Sequence, residues 1–162
     1  MLDPCRSAAL TCAALAATVV SGCDGGGGED VEPLVELGFG EGSAFEPLVD
    51  GAELPMVNGP QGGFWVMPRL RTTGFDAVLD VRTVVDDLVT DVTLIDSDSE
   101  RMFEVKEDGW TDSLLFLHVP SVRTLDDFAA VDGHDAYLEL VISDPSASLS
   151  FEANVVLEAV GQ

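Results

Sequence analysis

The sequence predicts an all-β protein: an antiparallel β-sandwich of about eight strands. Two observations lead there. After residue 45, hydrophobic and polar residues alternate with a period of two, the pattern of a strand with one buried and one wet face. Dipeptides that favour tight turns separate these runs: Asp50-Gly51, Asn58-Gly59, Asp108-Gly109, Asp132-Gly133 and Asp144-Pro145. Hydrophobic residues make up 46% of the 162-residue chain, so it can bury a core despite its charge.

The first 22 residues belong to an address rather than to the fold. Arg6 precedes an uncharged run from Ser7 to Val20, which has the length of a secretory apolar region and is too short to span a bilayer comfortably. Asp3 offsets Arg6, so the positive flank is weak. The next string, Val20-Ser21-Gly22-Cys23, resembles the lipobox of bacterial lipoproteins: an aliphatic residue, two small residues and a cysteine. By that resemblance, cleavage falls before Cys23, whose thiol takes a diacylglycerol thioether. Cys5 and Cys12 leave with the signal peptide (residues 1–22), so Cys23 is the lone cysteine of the mature chain. A secreted domain with one cysteine has no internal disulfide framework. Each buried methylene is worth about 0.8 kcal/mol, so two or more acyl chains anchor stably where one does not.

Residues 23–44 read as a tether. Asp24-Gly25-Gly26-Gly27-Gly28-Glu29-Asp30 has the composition of a flexible linker, and lacks the Lys and Ser/Thr of a phosphate-cradling loop. The sandwich domain is expected over residues 45–162. Gly59-Pro60-Gln61-Gly62-Gly63 is its most distinctive string, a turn leading into an aromatic strand; in this the chain resembles other secreted lipoproteins, a resemblance that carries no activity. Phe64 to Leu70 reads as a strand too, with Pro68 placing it at an edge or bulge. Leu79, Val81, Thr83 and Val85 alternate as the next inward set, followed by Val92 and Leu94, then Phe103 and Val105.

Leu114-Leu115-Phe116-Leu117 is apolar on both faces and is expected to sit centrally in a sheet. Only Thr124 to Val131 can hold a helical turn. Leu138, Leu140 and Ile142 mark a penultimate strand, and Leu149, Phe151, Ala153, Val155 and Leu157 the last. This strand spacing suits an immunoglobulin-like sandwich, with a small β-barrel as the alternative. Asp135-Ala136-Tyr137 resembles the tyrosine-corner region of such folds, although Glu139 stands where a cysteine is expected.

Charge narrows the partners. Seven Lys+Arg against 30 Asp+Glu give a net charge of -23, which repels phosphate backbones and excludes nucleic acid. Anionic headgroups repel it as well, so membrane attachment falls to the lipid on Cys23. Signal-peptide removal takes one acid and one base, so the whole excess stays on the mature chain. The implied location is the cell envelope, on the outer membrane or the periplasmic face of the inner membrane.

Catalytic patterns are sparse. Ser43, in Gly40-Glu41-Gly42-Ser43-Ala44, lacks the second glycine of a nucleophile elbow. His118 shares the phase of Leu114 and Phe116, as a partly buried structural histidine would. Trp65 reads as packing and Trp110, after a turn, as the more exposed contact residue. No enzyme is expected. The carboxylates suggest calcium instead. Asp96-Ser97-Asp98-Ser99-Glu100 presents alternating oxygens, but Arg101 occupies the position where an EF-hand needs glycine. A looser calcium site built by several loops stays open, with Asp96, Asp98, Glu100, Asp132 and Asp135 as its ligands. Counting strands puts the loops near 73–76, 96–100 and 120–135 at one end, a rim that also gathers Asp76 and His134 and faces away from the membrane. Loops near 58–62, 86–91, 107–112 and 144–147 fall at the other end. The leading expectation is an anchored, non-catalytic sandwich that binds an envelope protein or glycan. A calcium-dependent module is the alternative, and a carboxylate-based envelope hydrolase the third.

Overall fold

Eleven strands and one helix follow one another along the chain in a computed structural model that describes residues 32–40, 44–59, 62–76, 78–103 and 109–161. They are β1 (Leu34–Phe39), β2 (Glu46–Pro47), β3 (Ala52–Asn58), β4 (Phe64–Val66), β5 (Arg69–Thr73), β6 (Val78–Asp87), β7 (Val92–Met102), β8 (Thr111–Leu114), β9 (Leu117–His118), α1 (Leu125–Ala130), β10 (Asp135–Ser143) and β11 (Ser148–Val160). They form a β-sandwich. One sheet has the order β2-β1-β5-β8 and the other β7-β6-β10-β11-β3-β4-β9. Pairing is antiparallel except between β3 and β11, which run parallel. The larger sheet curls: its edge strands β7 and β9 bring Cα atoms within 8 Å of each other, so the sandwich verges on a barrel.

The inward residues alternate as the sequence predicts. Leu79, Val81 and Val85 of β6, Leu138, Leu140 and Ile142 of β10, and Leu149, Ala153, Val155 and Leu157 of β11 are all buried. The helix lies where Thr124 to Val131 allows one. Thr124 caps it, accepting from the Asp127 N–H while the Asp127 carboxylate accepts from the Thr124 N–H, a capping box. The helix delivers Phe128, fully buried, onto Phe64 with ring centroids 4.5 Å apart.

Four expectations are corrected. Leu34–Phe39, assigned to the tether, is a strand that pairs with β5 from Leu34↔Thr73 to Gly38↔Arg69; its alternation is short, and a sheet edge on each side completes it. Leu114 to Leu117 is not one central strand. The chain changes sheets there, with β8 and β9 at the edges of different sheets, Leu115 buried and Phe116 exposed. Phe64 to Leu70 changes sheets in the same way at Met67-Pro68, and the Leu115 N–H donates to the Pro68 carbonyl where the two switches meet. Proline has no N–H for a ladder, so it fits at that break.

The fourth correction concerns residues 96–100, which lie within the long edge strand β7 and not in a loop. Asp96, Asp98 and Glu100 face outward opposite Val84, Arg82 and Asp80. The β6 ladder holds this segment extended whatever its side chains, and charges on an edge strand discourage pairing with other chains.

Two Asp-Gly turns also do more than reverse the chain. Asp50 Oδ1 accepts from the Asn154 N–H while the Gly51 N–H donates to the Asn154 carbonyl. Asp132 Oδ1 accepts from the Ala159 N–H while the Gly133 N–H donates to the Leu157 carbonyl. Each turn thus continues the ladder of β11 where its neighbouring strand stops, which fixes the register of the C-terminal strand.

Candidate functional site

The predicted acidic rim is not assembled. Asp132 and Asp135 lie at the end of the larger sheet that holds the β6–β7 turn, since Ala136 pairs with Asp87. Asp96, Asp98 and Glu100 run along β7 toward the opposite end, where Val78 pairs with Met102. Alternate residues on a strand stand about 6.6 Å apart, so three in a row cannot share an ion whose oxygens sit at about 2.4 Å. Asp132 is moreover engaged by Ala159. Among the described residues, no group of three or more His, Cys, Asp or Glu is placed to hold a metal ion. Cys23 lies outside the described residues, as do residues 1–22, the glycine run, Ser43 and Val105.

The loops also sort differently from the strand count. The β6–β7 turn, Gly59, Gly62 and Gly63, and the helix segment share one end. Asp76, the β10–β11 turn and the start of β1 share the other, because Ser143 pairs with Asp80 and Leu34 with Thr73. Treating 96–100 as a loop added a reversal that the chain does not make.

Each end is built on one aspartate. Asp87 closes β6 in the inward phase and is 1% exposed. Its Oδ1 accepts from the N–H groups of Val89 (2.9 Å) and Thr90 (3.3 Å). Its Oδ2 accepts from the Thr90 hydroxyl at 2.6 Å and lies 2.9 Å from His134 Nδ1. Burial pushes the Asp87 carboxyl up, but the hydrogen bonds from Thr90, His134 and the Val89 backbone outweigh it and hold the carboxyl below its ordinary value. At the other end, Asp144 follows β10. Its Oδ1 accepts from Ser146 N–H, Ser146 hydroxyl and Ala147 N–H, and its Oδ2 from Asp76 N–H at 2.8 Å. Here too burial is outweighed by these bonds, and the carboxyl is held low. Asp144 borders an open cleft of about 370 Å³ with Asp76, Asp80 and Glu100.

The glycine-rich string has a packing reason. A Cβ on Gly59 would meet the Trp65 indole at 2.5 Å, and one on Gly63 would meet His118 Nε2 at 2.9 Å. The turn therefore lies directly against the Trp65–His118 pair, whose rings stand 4.9 Å apart, and glycine permits that approach. His118 is exposed, not partly buried as its phase suggested; it faces outward from the edge strand β9. Trp110 is also placed differently, half-buried, with Arg71 4.8 Å from its ring centroid and equally close to that of Phe45. The guanidinium is sandwiched, with the Glu36 carboxylate 3.6 Å away.

The outer face of the larger sheet carries Asp80, Asp86, Asp96, Asp98, Glu100, Glu139 and Glu152 against Arg82. Tyr137 stands among them with its hydroxyl on Glu152. Burial, that bond and the charges of Glu152, Glu139 and Asp86 push its pKa up to about 12. This outward position is not that of a tyrosine corner, which turns its hydroxyl back to the backbone.

Sequence reasoning missed Asp87, though a signal was present. It continues the inward phase of Val81, Thr83 and Val85, and a carboxylate on a buried phase requires partners.

No family model and no curated protein matches the chain. Among solved structures it is similar to the CooA pilin subunit from enterotoxigenic Escherichia coli, at 10% identity and a TM-score of 0.37, over 78% of this chain and 99% of that one. A likeness of that degree carries no argument about function.

Proposed function

We propose that the chain is a lipid-anchored cell-envelope protein whose β-sandwich is a non-catalytic interaction domain for an envelope protein or glycan. One observation supports the non-catalytic reading above the rest. In the Asp–His pair among the described residues, Asp87 is spent on the Val89 and Thr90 N–H groups and the Thr90 hydroxyl, and His134 makes no hydrogen bond to a serine, threonine or cysteine that it could activate. The anchor rests on the lipobox resemblance at Cys23. No helix among the described residues is long and apolar enough to cross a membrane.

Metabolic labelling with a clickable fatty acid, followed by membrane fractionation, tests the anchor. The wild-type chain should label and sediment with membranes, whereas Cys23→Ser should do neither. Unchanged fractionation of the variant refutes the lipoprotein assignment.

A further inference from the structure

We propose that the β6–β7 turn is a rigid docking spur that inserts Leu88 and Val89 into an apolar pocket of another protein, one whose rim is basic. The proposal rests on the interaction-domain reading and names its surface. Hairpin tips ordinarily carry Asn, Asp, Gly or Ser. Here the tip carries Leu88, 55% exposed, and Val89, 60% exposed. Two adjacent apolar side chains held clear of the core are suited to anchoring a partner.

The turn is braced from beneath. Asp87 accepts from Val89 and Thr90 and is itself held by His134, while the Leu88 N–H donates to the Asp135 carbonyl and the Asp91 N–H to that of Asp87. A tip ordered before binding loses little conformational entropy on docking. Charge selects the occupant. Asp86, Asp91 and Asp135 flank the tip, and the turn has neither Lys nor Arg. That field repels a second copy of this acidic chain and an anionic bilayer, and it favours a pocket edged with Lys or Arg.

The test places a photo-crosslinking residue in the full-length chain in the producing cells (Leu88→p-benzoylphenylalanine), with Arg82 and Val49 as comparison positions. Position 88 should give an adduct with a different protein, whose crosslinked peptide is apolar and adjoins Lys or Arg. Its yield should fall severalfold when Val89→Ser or Asp91→Asn is added, with the thermal midpoint of both variants unchanged, since asparagine suits the left-handed backbone at 91 (φ +59°). An adduct with a second copy, with lipid or with a peptide lacking basic neighbours overturns the proposal, as does a yield indifferent to those substitutions. No adduct from position 88 while position 82 or 49 gives one overturns the spur and leaves the interaction domain standing. No adduct from any of the three overturns both.

Discussion

Asp87 and Asp144 stand at opposite ends of the larger sheet and brace their turns by the same chemistry. Each accepts backbone N–H groups two and three residues ahead and a hydroxyl from the turn. They differ in what surrounds them. Asp87 is sealed from solvent and paired with His134, and its turn presents Leu88 and Val89. Asp144 is half-open, reaches across to the Asp76 N–H and borders an acidic cleft. The difference lies in burial. A carboxylate cut off from water depends wholly on its protein partners, whereas one at a rim can exchange them for solvent.

Truncation should break the symmetry most strongly. Asp87→Ala leaves the Val89 and Thr90 donors and His134 without their acceptor in a buried site, and should cost about 2–4 kcal/mol in urea unfolding. Asp144→Ala frees donors that water can reach, and should cost about 1 kcal/mol. Equal losses would mean that burial does not separate the two ends.

Acid should erode both braces. A carboxyl whose pKa is lowered by folding contributes stability above its unfolded value, here 3.8, and loses it as pH falls through the folded value. Stability should therefore drop as the pH falls below 3.8, and Asp87→Ala should flatten that drop more than Asp144→Ala does. A wild-type unfolding free energy that is level through this range would contradict the lowered values.

Thr83 lies between the two ends on β6, and its hydroxyl is the buried side-chain polar atom without a hydrogen-bond partner among the described residues. Thr83→Val should stabilise the domain by about 1 kcal/mol, read from the denaturant midpoint. Loss of stability would reveal a partner for that hydroxyl.

The smallest effect sharpens the electrostatic side of the comparison. Tyr137, the chain's single tyrosine, lies beside Asp86 at the Asp87 end. Ultraviolet titration of the folded protein should show it ionising near 12, and Glu152→Gln should lower that value, with burial still keeping it above 10. Its raised value adds stability below the unfolded value of 10 that is lost as pH rises through 12. A wild-type midpoint at 10 would mean that neither burial nor the neighbouring acids act on the hydroxyl as its setting implies.

Local signals, alternation and turn dipeptides, carried the all-β class, most inward strand positions and the helical turn at Thr124 to Val131. The sequence also carried the charge and the string Val20-Ser21-Gly22-Cys23, whose resemblance to a lipobox needs no fold to be read. The rest came from contacts between distant parts of the chain. Leu34–Phe39 became a strand and residues 96–100 stayed in one because neighbouring ladders hold a backbone extended whatever its side chains. The chain changes sheets at Pro68 and at Leu115-Phe116, where local hydrophobicity looks continuous. The acids that strand counting gathered into one rim are spread along an edge and over two ends. Only pairing between residues far apart in sequence could place Asp87 against His134, because whether a carboxylate is solvated or sealed depends on what packs over it.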